Sequence, residues 1–265
     1  MASGSSGNAT LLETERTCLL VDAGLGRKET LRRLAALGKS PERIDGILIS
    51  HEHTDHSSGL PQLLSHWQAT AYLTQATCVE ILKTLPEGSS KKMARVEHIR
   101  AGERFTVGDI EVSPFSVPHD AADPVGYAFR ANGTKVAIVT DLGDLPRHVK
   151  LHLREADCLI LESNHDLDKL KLGPYPWYLK QRIMARNGHL SNQKVSEYLA
   201  DAESVEGFDG RARYLVLAHV SEINNDPNIV DFFAKEALHS RPIESAFQGE
   251  LLIASQRVPL GPLNL

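Results

Sequence analysis

Six consecutive residues constrain this chain more than any others. His51-Glu-His53-Thr-Asp55-His56 follows directly on the apolar run Ile44-Asp-Gly-Ile-Leu-Ile-Ser50. That run has the look of a buried strand, which puts the cluster on the loop leaving the strand's end. From such a loop His51 and His53 can point one way while Asp55 and His56 point another, so one short segment can supply ligands to two adjacent ions. Imidazole and carboxylate without thiolate suit zinc, manganese or iron, and open two-metal sites suit hydrolysis. A solvated His-rich turn is the bland alternative.

The same grammar repeats along the chain: a short apolar strand, a turn carrying His or Asp, then often an amphipathic helix. Val21-Asp22-Ala-Gly24 closes a strand before helical spacing over Lys28–Leu37, and Leu60–Trp67 has the spacing of a helix. Ala71–Leu73 and Thr74–Leu85 form a strand and helix pair. From Glu103 to Val117 the alternation has period two, as antiparallel strands require. Val125–Ala131, Asn132-Gly133 and Lys135–Thr140 spell a hairpin. Strands follow at Asp157–Glu162 and Tyr214–Ala218, a helix at Pro227–His239 and a last strand at Glu250–Ser255. Two such runs of strands and helices predict an α/β fold, a four-layer αββα sandwich of two mixed β-sheets. No Pro/Gly/Ser linker divides residues 1–265, so a single domain is expected.

Three further strand-end residues join the cluster: His119 after Ser-Val-Pro, Asp141 after Ala-Ile-Val-Thr, and His219 after Leu-Val-Leu-Ala. Strand ends along one edge of a sandwich converge although they are distant in sequence. One ion would take His51, His53 and His119, the other Asp55, His56 and His219, with Asp141 bridging. A lone His or Asp at a strand end is otherwise an ordinary turn residue.

With 42% hydrophobic and 24% charged residues the composition is that of a soluble globular protein. A net charge of −5 excludes a surface coated in basic residues and leaves nucleic acid only a local patch. Cys18, Cys78 and Cys158 are far apart, with no Cys-x-x-Cys spacing, and are expected as buried free thiols in a reducing cytoplasm. No apolar stretch approaches twenty residues, so no membrane span is expected.

Taken together, Asp22, the His51–His56 motif, His119, Asp141 and His219 resemble the metallo-β-lactamase fold superfamily over essentially the whole length. A narrower resemblance is carried by Ala2-Ser-Gly-Ser-Ser-Gly-Asn-Ala9, Leu161-Glu-Ser-Asn-His-Asp166, Gly173-Pro-Tyr-Pro-Trp177, Gly188-His-Leu-Ser-Asn192 and His219-Val-Ser-Glu-Ile-Asn-Asn225. These residues are similar to those of YycJ-type (WalJ or VicX) hydrolases, related to ribonuclease Z-like phosphodiesterases. The resemblance implies two divalent ions, zinc or manganese with iron also suitable, and a phosphodiesterase acting on DNA with 5′-to-3′ exonuclease activity and a role in DNA repair. It also implies catalytic roles for His189 and Asp55, with His189 aimed at the scissile phosphate and outside the ligand set, and an orienting role for Asp22 behind the His51–His56 loop. His53 departs from the flavodiiron pattern, which has a carboxylate there. Asp141 departs from antibiotic-degrading β-lactamases, which commonly carry Cys.

The segment Leu167–Arg186 carries Lys169, Lys171, Lys180, Arg182 and Arg186 against Asp168, interleaved with Tyr175, Trp177 and Tyr178. Cations for phosphates and aromatic faces for bases are what single-strand handling needs. Lys180, Arg182, Arg186 and Trp177 are therefore the expected substrate contacts; a solvated helix pair is the bland alternative. Rival functions are a small-molecule metallohydrolase of thioesterase or lactonase type and a metal-bound regulatory protein without turnover.

Overall fold

The computed structural model describes residues 1–39, 43–85, 93 and 95–265. Its strands form two mixed sheets, of five and seven strands, with helices around them. The chain divides into two compact units: residues 1–116, 121–131 and 255–262 in the first, and 117–120, 132–254 and 263–265 in the second.

The first unit opens with the hairpin β1 (Thr10–Glu13) and β2 (Cys18–Val21), followed by α1 (Arg27–Ala36), β3 (Gly46–Leu48), α2 (Thr54–Ser57), α3 (Leu60–Trp67), β4 (Thr70–Thr74), α4 (Gln75–Thr84) and β5 (Val96–Ile99). The five strands lie in chain order, with β1 antiparallel to β2 and every later neighbour parallel. Parallel strands covered on both faces are apolar throughout, and all of β2 and β3 is buried. Leu20, Ile47, Ile49, Leu60, Leu63 and Leu73 lie in one core there. An antiparallel meander, β6 (Phe105–Val107), β7 (Ile110–Ser116) and β8 (Val125–Ala131), completes the unit. It is tied to the five-stranded sheet: the buried Tyr127 hydroxyl donates to Ile49 O at 2.7 Å, Val125 N donates to Ser50 O, and the Tyr72 and Phe105 rings stack 5.1 Å apart. These bonds hold the end of β3, from which the His cluster departs.

The second unit contains β9 (Thr134–Val139), α5 (Arg147–Leu153), β10 (Cys158–Glu162), α6 (Leu167–Leu172), α7 (Trp177–Met184), α8 (Asn192–Ala200), β11 (Tyr214–Ala218), α9 (Pro227–His239) and β12 (Glu250–Ile253). Its four strands are mutually parallel. The full order of the seven-stranded sheet is β12-β11-β10-β9-β8-β7-β6. Leu159, Leu161, Leu215 and Leu217 are fully buried, as are Leu199 on α8 and, nearly so, Val230 on α9.

The expected bounds of α3, β11 and α9 coincide with those observed. Asn132 and Gly133 both have positive φ, as a type I′ hairpin turn requires. All three cysteines are buried and free. Among the described residues no helix is long and apolar enough to cross a membrane.

Candidate functional site

Each unit gathers its own cluster of candidate ligands. In the first unit the His51–His56 loop is held from behind by Asp22, the residue that follows β2. The Asp22 Oδ1 accepts from Ser50 N at 2.8 Å and Ser50 Oγ at 2.9 Å, and Oδ2 lies 2.8 Å from His56 Nδ1. Asp22 has left-handed backbone, φ 62°, a conformation that Asp tolerates better than most residues. Gly24 follows because the chains approach too closely for a side chain: a Cβ there would land on the Asp55 carbonyl. From the N-terminal loop, Asn8 binds the same segment. Its amide N–H donates to Asp55 O, and its Nδ2 lies 2.8 Å from His56 Nε2 and 3.3 Å from Asp55 Oδ2. The Gly-Ser-Ser-Gly stretch that resembles a linker is thus a packed turn, closed by Gly7 N on Gly4 O.

The donors of this loop fall into two pairs. His51 Nε2 and His53 Nδ1 are 3.0 Å apart, and Asp55 Oδ2 and His56 Nε2 are 3.5 Å apart. Two ligands of a tetrahedral ion, each about 2.1 Å from it, stand about 3.4 Å from one another. Each pair therefore has the spacing of two ligands on one ion.

In the second unit His119, Asp141, His189 and His219 stand together around a further carboxylate, Glu162 at the end of β10. Glu162 Oε1 is 2.9 Å from His189 Nδ1 and 2.7 Å from His219 Nδ1, while Oε2 accepts from Leu142 N and Leu190 N. Asp141 Oδ1 lies 3.6 Å from His219 Nε2, 3.7 Å from His189 Nδ1 and 4.0 Å from His119 Nε2. Asp141 and His219 leave their strands through left-handed backbone, φ 60° and 53°, as Asp22 does. Within this unit Asp141, Glu162, His189 and His219 offer donor atoms that all lie within 4.8 Å of one another. A glutamate closing a fully apolar strand, Cys-Leu-Ile-Leu-Glu162, was the signal that could have found it: an acid so placed needs partners.

The ring nitrogens are sorted by their neighbours. His56 Nδ1 faces Asp22, His119 Nδ1 faces Gly188 O at 3.1 Å, and His219 Nδ1 faces Glu162. An Nδ1 proton held on oxygen leaves the lone pair on Nε2, the form in which imidazole ligates a metal. The donor set therefore fits divalent ions. Burial holds the His119 pKa below the ordinary value, which favours the neutral form a ligand needs. His189 differs. Burial opposes its charge, but Glu162 outweighs that effect and its pKa is raised. Burial likewise pushes the Glu162 carboxyl up, and the facing His189 and His219 overcome this and hold it well below the ordinary range.

The motifs around this cluster knit it together. Ser163 Oγ donates to Asn192 Oδ1, Asn192 Nδ2 to Asn225 Oδ1, and Asn225 Nδ2 to both Asn192 Oδ1 and Ser163 O. Asn164 Nδ2 donates to His219 O at 2.9 Å. Beside them His165 is 1% exposed, with neither ring nitrogen hydrogen-bonded, and burial brings its pKa down to about 4.

Segment 167–186 is a helical hairpin, α6 and α7, running into Gly188-His189. Arg182 pairs with Asp120 and Arg186 with Asp144, both guanidinium groups staying exposed. Trp177 is exposed at the start of α7. Lys180 corrects the expectation made for it. Its side chain is buried and its ammonium donates to Lys171 O and Gly173 O, each at 2.7 Å, so it braces the hairpin and has no reach to a phosphate.

Residues 17–220 match the family model described as the β-lactamase superfamily domain. Over 244 residues the chain is 34% identical to exodeoxyribonuclease YycJ of Bacillus anthracis, covering 91% of this chain and 88% of that protein. It is 35% identical over 254 residues to exodeoxyribonuclease WalJ of Streptococcus pneumoniae serotype 2, covering 95% and 88%. In fold it is similar to the metallo-β-lactamase fold protein YhfI of Bacillus subtilis, with a TM-score of 0.68 at 19% identity, over 96% of this chain and 94% of that one.

Proposed function

The chain belongs to the β-lactamase superfamily, and from that premise we propose that it is a metal-dependent phosphodiesterase that degrades DNA as an exonuclease. The relatives named exodeoxyribonuclease support the substrate class, and 5′-to-3′ polarity and a role in DNA repair are proposed from the same likeness. The observation that carries the reading is the sorting of the ring nitrogens, which turns Nδ1 of His56, His119 and His219 to oxygen and leaves Nε2 of each to ligate, while His189 faces Glu162 with its pKa raised.

We assign His51, His53, Asp55, His56, His119, Asp141 and His219 as ligands of two divalent ions. When bound, such ions lower the pKa of a water and neutralise phosphate oxygens. The chain's own residues supply the rest. Asp22 and Ser50 fix the His56 ring, Gly188 O fixes His119, and Glu162 fixes His219. Glu162 also keeps a proton on His189, whose Nε2 can then donate to the leaving oxygen or to the charge building on phosphate. Asp55 serves both as ligand and as the acceptor that orients the attacking water. Arg182, Arg186 and Trp177 are proposed substrate contacts. Three buried thiols support a reducing compartment, the cytoplasm.

The test is protein reconstituted separately with zinc and manganese, assayed on end-labelled single- and double-stranded DNA, RNA, and a panel of lactones and thioesters. DNA shortened from its 5′ end is expected, with two metal equivalents per chain by elemental analysis. Turnover confined to lactones or thioesters, or a stoichiometry that stays near one, overturns the assignment.

A further inference from the structure

Three large apolar side chains stand exposed within seven residues: Leu172 (88% exposed), Trp177 (59%) and Tyr178 (73%). Pro174 and Pro176, also exposed, stiffen the stretch between them. The hairpin beneath is held by buried polar bonds. Asp166 caps α6 through the amides of Asp168 and Lys169, Leu170 is fully buried, and the Lys180 ammonium closes the C-terminal carbonyls of α6. At its far end α7 is fixed by His189 N on Ile183 O and by Gly188 N on Ala185 O. A Cβ on Gly143 or Gly188 would meet the backbone of this same turn. An apolar edge raised on so firm a base is a presented surface.

We propose that the α6–α7 hairpin is a stacking platform for the unpaired bases of a polynucleotide strand that runs along α7 toward His189; this rests on the hydrolase reading above. Trp177 and Tyr178 take base faces, while Lys171, Arg182 and Arg186 take backbone phosphates. Charge selects this occupant. Besides the buried Lys180, residues 167–186 carry four Lys or Arg against one Asp, in a chain whose net charge is −5. The exposed Arg182 and Arg186 keep N–H groups beyond those used on Asp120 and Asp144. A strand of phosphates matches such an edge. The eight residues of α7 span about 12 Å, which is roughly three to four stacked nucleotides at about 3.4 Å each. Trp177 begins that span, and the His189 amide is bonded at its other end. The platform therefore engages only strands longer than about four nucleotides.

The test is KM for single-stranded oligonucleotides of increasing length, from a dinucleotide to an octamer, on metal-loaded protein. The expected result is a fall of about tenfold or more in KM once the strand outgrows about four nucleotides. That step should be absent in the Trp177→Ala, Tyr178→Ala double variant and largely kept in Trp177→Phe, which retains an aromatic face. Bis-p-nitrophenyl phosphate, which offers no base to stack, is the small diester assayed beside them on the wild-type protein. Of the two tryptophans Trp67 is buried, so quenching of fluorescence by oligo-dT reports on Trp177 and needs no turnover. Wild-type protein that cleaves the small diester and DNA with no length step overturns the platform and leaves the hydrolase reading standing. If no phosphodiester is cleaved, the phosphodiesterase reading fails, and the quench decides the platform: present supports it, absent overturns it. A fall in molecular mass of the double variant by light scattering also overturns it, since the edge would then join copies of this chain.

Discussion

The two clusters of candidate ligands are built by opposite means. In the first unit four candidate ligands come from six consecutive residues, and the fold's task is to press that loop against Asp22 and Asn8. In the second unit His119, Asp141, His189 and His219 come from four separate turns, and a single buried carboxylate, Glu162, organises two of them. A local cluster is as rigid as the loop that carries it, whereas an assembled cluster is as rigid as its hub. Loss of Asp22 therefore removes the partner of one histidine ring, His56, and loss of Glu162 removes the partner of two, His189 and His219.

The sharpest way to break this comparison is Glu162→Gln. With the carboxylate gone His189 loses the partner that raises its pKa, and kcat at saturating metal is expected to fall by about two to four orders of magnitude. A normal kcat would remove Glu162 from the mechanism. Asp22→Asn should weaken metal binding by about 10- to 100-fold, the range for a residue that orients a ligand, with kcat recovered at saturating metal. Titration of the apoprotein followed by calorimetry separates the two variants, and equal behaviour would erase the distinction between hub and support.

Gly24→Ala probes the local cluster through packing alone. The added Cβ must displace the Asp55 carbonyl, at a cost of about 1–3 kcal/mol. For a folded unit of about 150–250 residues that lowers Tm by roughly 2–12 °C, read by circular dichroism. An unchanged Tm would show that the loop yields easily and is not pressed into place.

The smallest effect concerns acid stability and the assembled cluster. His165 is buried without hydrogen bonds, and its pKa drops from 6.5 to about 4. The unfolded chain binds its proton more readily than the folded one, so this group's contribution is intact above 6.5 and declines as pH falls from 6.5 toward 4. Urea denaturation across that window should show a shallower acid decline in His165→Gln than in the parent protein. An identical slope would mean that the ring does not stay neutral on folding.

Much of the framework was legible in the sequence because apolar strands and their punctuation have few competing explanations. The Asn132-Gly133 turn needs positive φ twice, and α9 begins on Asp226-Pro227 with a capping carboxylate before a proline. Strand β5, Val-Glu-His-Ile, escaped because it is short and half polar. The first cluster was visible as a string of letters. Glu162 was not, since its role lies in two partners 27 and 57 residues away. Lys180 was misread for a related reason: within a basic run, a lysine that braces a helix end is spelled the same as one that awaits a phosphate.

Asp22, Asp141 and His219 share one further property, the left-handed turn by which each leaves its strand. An ordinary side chain in that region costs about 1–2 kcal/mol, and Asn and Asp pay the least. At these positions an alanine scan changes two variables at once, removing the functional group and loading the backbone with a conformation that alanine resists. Asparagine keeps the turn and the outline of an aspartate, so it is the substitution whose kinetics can be read as chemistry. Anyone transplanting either cluster onto another scaffold inherits the same demand: strand exits of the rarer hand must be in place before any ligand is chosen.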